Sequence, residues 1–124
     1  IIHKTRSAHN KAEATHVVGD VKGRACVMFD DMIDTAGSVV SALEALRKMG
    51  VNKDVYLAAT HAIFSDPAVE RLKTAGFKEV VVTDSTPITK KKMFKGLKVL
   101  SVAPLLARII KNVYEAKSVT KVLS

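Results

Sequence analysis

The sequence predicts an α/β domain, a mostly parallel sheet flanked by helices, and three observations carry that prediction. Short apolar runs alternate along the chain with segments of helical periodicity. The run Val80, Val81, Val82 is continuous and β-branched, which suits a central strand. Gly50, Gly76 and Pro104 fall at the joints between segments, where chains turn.

The elements follow in order. Residues 25–29 form an apolar run ending in acid, read as a buried parallel strand. Over residues 38–49, Val39, Ala42, Leu43 and Leu46 recur at helical spacing, and Gly50 supplies the stop. Residues 55–60 are the next strand. Asp66 then reads as an N-cap with Pro67 at the first helical position, and Gly76 closes that helix. Residues 79–83 make a third strand, residues 84–95 an exposed Lys-rich connection, and residues 97–102 a fourth strand. Pro104 opens a last helix with Leu105, Leu106, Ile109, Ile110 and Val113 on one face. Residues 118–123 are expected to be a short extended tail. Residues 3–13, polar and aperiodic, are expected to be a mobile loop. In such sheets ligands bind at the carboxyl ends of strands near a switch point, which directs attention to the loop after the first strong strand.

Composition bounds the possibilities. The 124 residues allow one domain, and with 5% aromatics and no Trp its core must be built from Val, Leu, Ile and Ala. Charges interrupt every apolar stretch before the ~20 residues that a membrane helix requires. Lys4 and Arg6 are followed by polar residues, so the N-terminus does not read as a signal peptide. The chain opens without Met, and Ile1-Ile2 reads like the tail of a strand, as expected of a fragment. Cys26, the only cysteine, sits in an apolar run and is expected to be a small buried hydrophobe in a cytoplasmic protein. The net charge of +8 suits nucleic acid, an anionic membrane or a small polyphosphate. Its positives gather in residues 90–98 and in the first eleven residues, without the interleaved aromatics of a single-strand binding surface.

The loop after the first strand carries the chemistry: Val27-Met28-Phe29-Asp30-Asp31-Met32-Ile33-Asp34-Thr35-Ala36-Gly37-Ser38. A strand delivers adjacent carboxylates, and Thr35-Ala36-Gly37-Ser38 turns the chain into a helix. Small residues let backbone N–H groups approach an anion, and the helix N-terminus adds its positive dipole end. Thr35 and Ser38 add hydroxyls, while the acids can accept hydrogen bonds from vicinal sugar hydroxyls. Together these describe a pocket for a phosphorylated sugar. In a competing reading, Asp34 or Thr35 merely caps the helix.

This loop resembles the phosphoribosyl pyrophosphate motif of the type I phosphoribosyltransferase superfamily. The segments 60–68, 81–88, 103–107 and 118–120, with the opening His3-Lys4-Thr5-Arg6, resemble the ribose-phosphate pyrophosphokinases in particular. The resemblance implies a C-terminal phosphoribosyltransferase-like domain over residues 1–124, incomplete at its N-terminus and lacking the family's N-terminal domain. It implies transfer of the diphosphoryl group of ATP, with Mg2+, to the anomeric hydroxyl of ribose 5-phosphate, in a homo-oligomer of dimers grouped into hexamers. Asp34, Thr35, Ala36, Gly37 and Ser38 would hold the sugar phosphate, and Asp30 and Asp31 the ribose hydroxyls. Lys4 and Arg6 match a catalytic Lys-x-Arg pair, with Arg6 also close to the sugar phosphate, and Thr5 replaces the Arg or Glu usual between them. Ser118 and Thr120 match residues lining an allosteric phosphate or nucleotide site, although Leu123 stands where an aromatic is usual. Most metal ligands and the adenine site would lie outside this segment.

Other residues read blandly. His3, His9 and His16 lack metal-ligand spacing, His61 is structural or interfacial, and Lys90, Lys91, Lys92, Lys95 and Lys98 form a solvated surface rather than a nucleic-acid patch. Neither nucleic acid nor membrane is an expected partner. A non-catalytic regulatory homologue and a related phosphoribosyltransferase remain alternatives, the former usually having lost the Asp-Thr-small-Gly-Ser loop that this chain keeps.

Overall fold

The structure is a computed structural model that describes residues 2–7, 11–17 and 19–123, with side chains over residues 19–122. The expectations on Ile1 and His9 lie outside the described residues. In chain order the elements are β1 (Ile2–Ser7), β2 (Lys11–Val17), β3 (Cys26–Ile33), α1 (Gly37–Lys48), β4 (Val55–Ala62), α2 (Ala68–Ala75), β5 (Glu79–Thr83), β6 (Leu97–Leu100), α3 (Ala103–Tyr114) and α4 (Thr120–Leu123). Strands β3, β4, β5 and β6 pair in that order, all parallel, so the expected α/β class is the fold that forms.

Topology decides where the core sits. The strand order never reverses, and each right-handed crossover from one parallel strand to the next places its connection on the same side of the sheet. Met28, Val55, Leu57, Ala59, Val80, Val82 and Leu97 therefore face Val39, Ala42, Leu43 and Leu46 of α1 and Ala68 and Leu72 of α2 in one core. On the other face Val27 and Phe29 are 55% and 82% exposed. Helix α3 has no buried residue, so its predicted apolar face lies at the surface, with Ile110 and Val113 among its exposed members. The expected switch point is not found within this sheet, and the acidic loop lies at the β3 edge.

Several boundaries move for physical reasons. Residues 3–7 and 11–13 of the expected loop are strand: β1 and β2 form an antiparallel ribbon with Ile2 opposite Val17 and Ser7 opposite Lys11. Backbone pairing of this kind needs no apolar period, and the polar sequence concealed it. Strand β3 continues past the acids because Ile33 stays in register with Ala62. Asp66 is not an N-cap and Pro67 is not the first helical residue. The Asp66–Pro67 bond is cis, Ala68 N–H donates to the Ser65 carbonyl at 2.8 Å, and α2 starts at Ala68 with Pro67 at the cap. Gly76 closes α2 as expected, at φ 83°. A Cβ there would stand 2.8 Å from Arg47 Nη2, which donates to the Gly76 carbonyl. The 97–102 strand stops at Leu100 because Val102 caps α3, and the expected tail contains a helical turn, α4.

The lysine-rich connection is only partly solvated. Ile88 and Phe94 pack against the core, and Lys92 Nζ donates to the Ile63 carbonyl at 2.7 Å. Lys98 pairs with Glu79 at 2.8 Å, while Lys90, Lys91 and Lys95 are exposed. Cys26 is a half-buried free thiol at the core margin rather than fully buried.

Asp84 joins β5 to the start of α3. Its carboxylate accepts the Val102 N–H at 2.8 Å, and hydrogen bonds from Ser101 and then Val102 hold its pKa below the ordinary carboxylate value. A lowered folded-state pKa contributes stability above the unfolded value, lost as pH falls through the folded one. Thermal melting should therefore drop below pH ~4, and Asp84→Asn should flatten that part of the profile. An unchanged acid profile in Asp84→Asn would count against this role.

Candidate functional site

The site is built at the carboxyl end of β3. Asp30 pairs in register with Ala59 and is half-buried. Asp31, the next strand residue, is exposed on the side of Phe29, because successive strand side chains alternate. The two acids are thus held within the strand, two and three residues before its end at Ile33. Asp30 Oδ1 accepts the Asp31 N–H at 3.0 Å, and Asp31 Oδ1 accepts the Met32 N–H at 2.7 Å.

After Ile33 the chain turns through Asp34 and Thr35, both exposed, into buried Ala36, which adopts the left-handed conformation at φ 61° and ψ 4°. Helix α1 begins at Gly37, and no side chain caps it. The reading in which Asp34 or Thr35 caps the helix is therefore overturned. The N–H groups of a first helical turn have no intrahelical partner, and with Gly37 and Ser38 half-buried around them they form a cradle suited to an oxyanion.

Two carbonyls fix this turn to the segment that follows β4. The Ile33 carbonyl accepts from Ile63 N–H at 3.1 Å and Phe64 N–H at 3.0 Å. The Thr35 carbonyl accepts from Arg71 Nη1 at 3.0 Å. Sequence reasoning missed Arg71, which reads as an ordinary polar-face residue of an amphipathic helix. No local signal marks it, since its partner lies 36 positions away.

His61 lies at the end of β4, with Nδ1 2.9 Å from Ser85 Oγ, and Ser85 Oγ also donates to the Thr60 carbonyl at 3.0 Å. A hydroxyl has one proton, so with that donation His61 must carry its proton on Nδ1. This contact ties the end of β4 to the turn after β5.

Lys4 and Arg6 lie on β1, paired with Ala14 and Ala12, and β2 of the same ribbon runs alongside α1. Their side chains, like those of His3, His16 and Leu123, lie outside the described ones. Ser118 and Thr120 stand elsewhere, at the junction of α3 and α4, where the Ser118 carbonyl accepts from Asn112 Nδ2 at 2.8 Å. Among the described residues, no helix is long and apolar enough to cross a membrane, and no three His, Cys, Asp or Glu side chains gather where they could hold a metal ion.

The arrangement is thus a parallel α/β sheet whose acidic edge strand leads through an uncapped turn of small residues into a helix. The model of the phosphoribosyl synthetase-associated domain matches residues 4–124, and the chain belongs to that family. It is 51% identical to the ribose-phosphate pyrophosphokinase of Bifidobacterium longum, over 97% of this chain and 36% of that protein. It is 46% identical to the chloroplastic ribose-phosphate pyrophosphokinase 2 of Spinacia oleracea, over 98% of this chain and 31% of that one. The crystal structure of phosphoribosylpyrophosphate synthetase from Mycobacterium smegmatis superposes with a TM-score of 0.80 at 52% identity, covering 93% of this chain and 36% of that one. The chain spans about a third of the length of these relatives.

Proposed function

We propose that this chain is the ribose 5-phosphate-binding part of a ribose-phosphate pyrophosphokinase, a cytoplasmic enzyme that works as a homo-oligomer of dimers grouped into hexamers. The observation that carries the reading is the uncapped turn at residues 34–38, with Asp30 beside it. The N–H groups there take the 5-phosphate, and Thr35 and Ser38 add hydroxyl donors. Asp30, with Asp31 next to it in the strand, accepts from the ribose hydroxyls. Lys4 and Arg6 on β1 neutralise charge that develops as the anomeric oxygen attacks the β-phosphorus of ATP and AMP leaves. Mg2+ enters with ATP and supplies charge neutralisation on the phosphates. Ser118 and Thr120 line a separate regulatory site for phosphate or nucleotide.

Calorimetric titration of the chain with ribose 5-phosphate tests the reading. Saturable binding is expected, displaced by inorganic phosphate and weakened on the order of 10-fold or more in Asp30→Ala, the usual scale for losing a hydrogen bond to a charged group. Absence of binding, with salt-dependent binding to DNA in its place, would point to a basic nucleic-acid module instead.

A further inference from the structure

We infer that Arg71 is a positioning residue for the phosphate turn, acting through the Thr35 carbonyl; this rests on the ribose 5-phosphate reading of that turn. The geometry is specific. Arg71 Nη1 donates to Thr35 O at 3.0 Å, and the Arg71 backbone N–H donates to the Pro67 carbonyl at 3.1 Å, which holds the first turn of α2 in place. The guanidinium lies beside Gly37, where an added Cβ would make ordinary contact, 3.4 Å from Nη1 and 3.8 Å from Thr35 Oγ1.

The consequence follows from peptide geometry. A trans peptide is planar, with its C=O and N–H on opposite sides. Holding the Thr35 carbonyl toward α2 turns the N–H of Ala36 away from α2. Ala36 needs such a restraint because its left-handed conformation is unfavourable for a residue with a Cβ. The neighbouring anchor, Ile33 O with Ile63 and Phe64 N–H, secures the base of the turn but does not reach the Thr35–Ala36 peptide. Arg71 is the described side chain that restrains that peptide. Preorganised donors bind an anion without the cost of ordering them on binding.

The test compares the wild-type chain with Arg71→Ala and Arg71→Lys. Arg71→Ala should weaken ribose 5-phosphate about 10-fold, a loss of about 1.4 kcal/mol. Arg71→Lys, which keeps a donor and a charge, should recover much of that loss. Arg71 is exposed, so both variants should melt close to wild type. A distant-charge effect would vanish near 1 M salt, where screening shortens to about 3 Å; the tether predicts a loss that persists. The amide shifts of Ala36 and Gly37, measured without ligand, should move in Arg71→Ala and return toward wild type in Arg71→Lys. Equal affinity in wild type and Arg71→Ala, a loss abolished by salt, or unmoved amide shifts overturns the inference and leaves the substrate reading intact. A wild-type chain that fails to bind ribose 5-phosphate overturns the substrate reading, and the ligand-free amide shifts then judge the tether alone.

Discussion

In a full-length synthase carrying this segment, Lys4→Ala is expected to lower kcat on the order of 100-fold while ribose 5-phosphate affinity changes little. The proposal assigns Lys4 a partner charge that appears mainly as the diphosphoryl group is transferred, and an interaction made only in the transition state raises kcat rather than lowering KM. Its position on the β1–β2 ribbon, which runs alongside α1, gives the lysine a backbone support attached to the helix that opens at the phosphate turn. Asp30→Ala serves as the contrast, because sugar hydroxyls are present in the ground state and the transition state alike, so its effect should fall on KM. Steady-state kinetics on the two variants separate these roles. Should Lys4→Ala keep a near-normal kcat and change only KM, Lys4 binds substrate or stands by, and the catalytic role is wrong.

Phe64→Ala should cost about 3–5 kcal/mol of folding stability, the range for truncating a buried aromatic. Phe64 is 1% exposed, and its ring meets Phe94 with centroids 6.4 Å apart and planes tilted by 54°. Against a total of about 5–15 kcal/mol for a typical domain, that loss is large. Phe64 also donates its N–H to the Ile33 carbonyl, so loosening it frees the base of the phosphate turn. Urea unfolding of Phe64→Ala and Phe64→Leu should rank wild type, Leu, then Ala, with ribose 5-phosphate affinity falling in the same order. A cost below about 1 kcal/mol for Phe64→Ala would be a surface value and would remove Phe64 from the core.

Much of the fold is legible because its signals are local. All four residues singled out on α1, namely Val39, Ala42, Leu43 and Leu46, are buried, and the 79–83 strand appears at the expected boundaries. The turn proposed to take the phosphate stands out for the same reason, since a strand, two acids, small residues and a helix start are consecutive in the chain. The acids were harder to place, because the end of β3 depends on pairing with β4. That pairing carries the strand beyond Asp30 and Asp31 to Ile33.

By itself the sequence determined the order of elements from β3 to α3, the helix-facing core and the location of the small-residue turn before α1, each a matter of spacing within about a dozen residues. The tertiary structure decided the rest. It formed a ribbon from residues that lack apolar period, replaced the expected helix start at Pro67 with a cis turn, and set all crossovers on one face of the sheet. It left Phe29 on the opposite face 82% exposed, a consequence of strand order that no segment encodes alone. It also brought Arg71 to the Thr35 carbonyl across 36 positions of sequence. Periodicity reports which face of an element is apolar. What that face meets, and which carbonyl a distant arginine reaches, is fixed only when strands pair and helices pack.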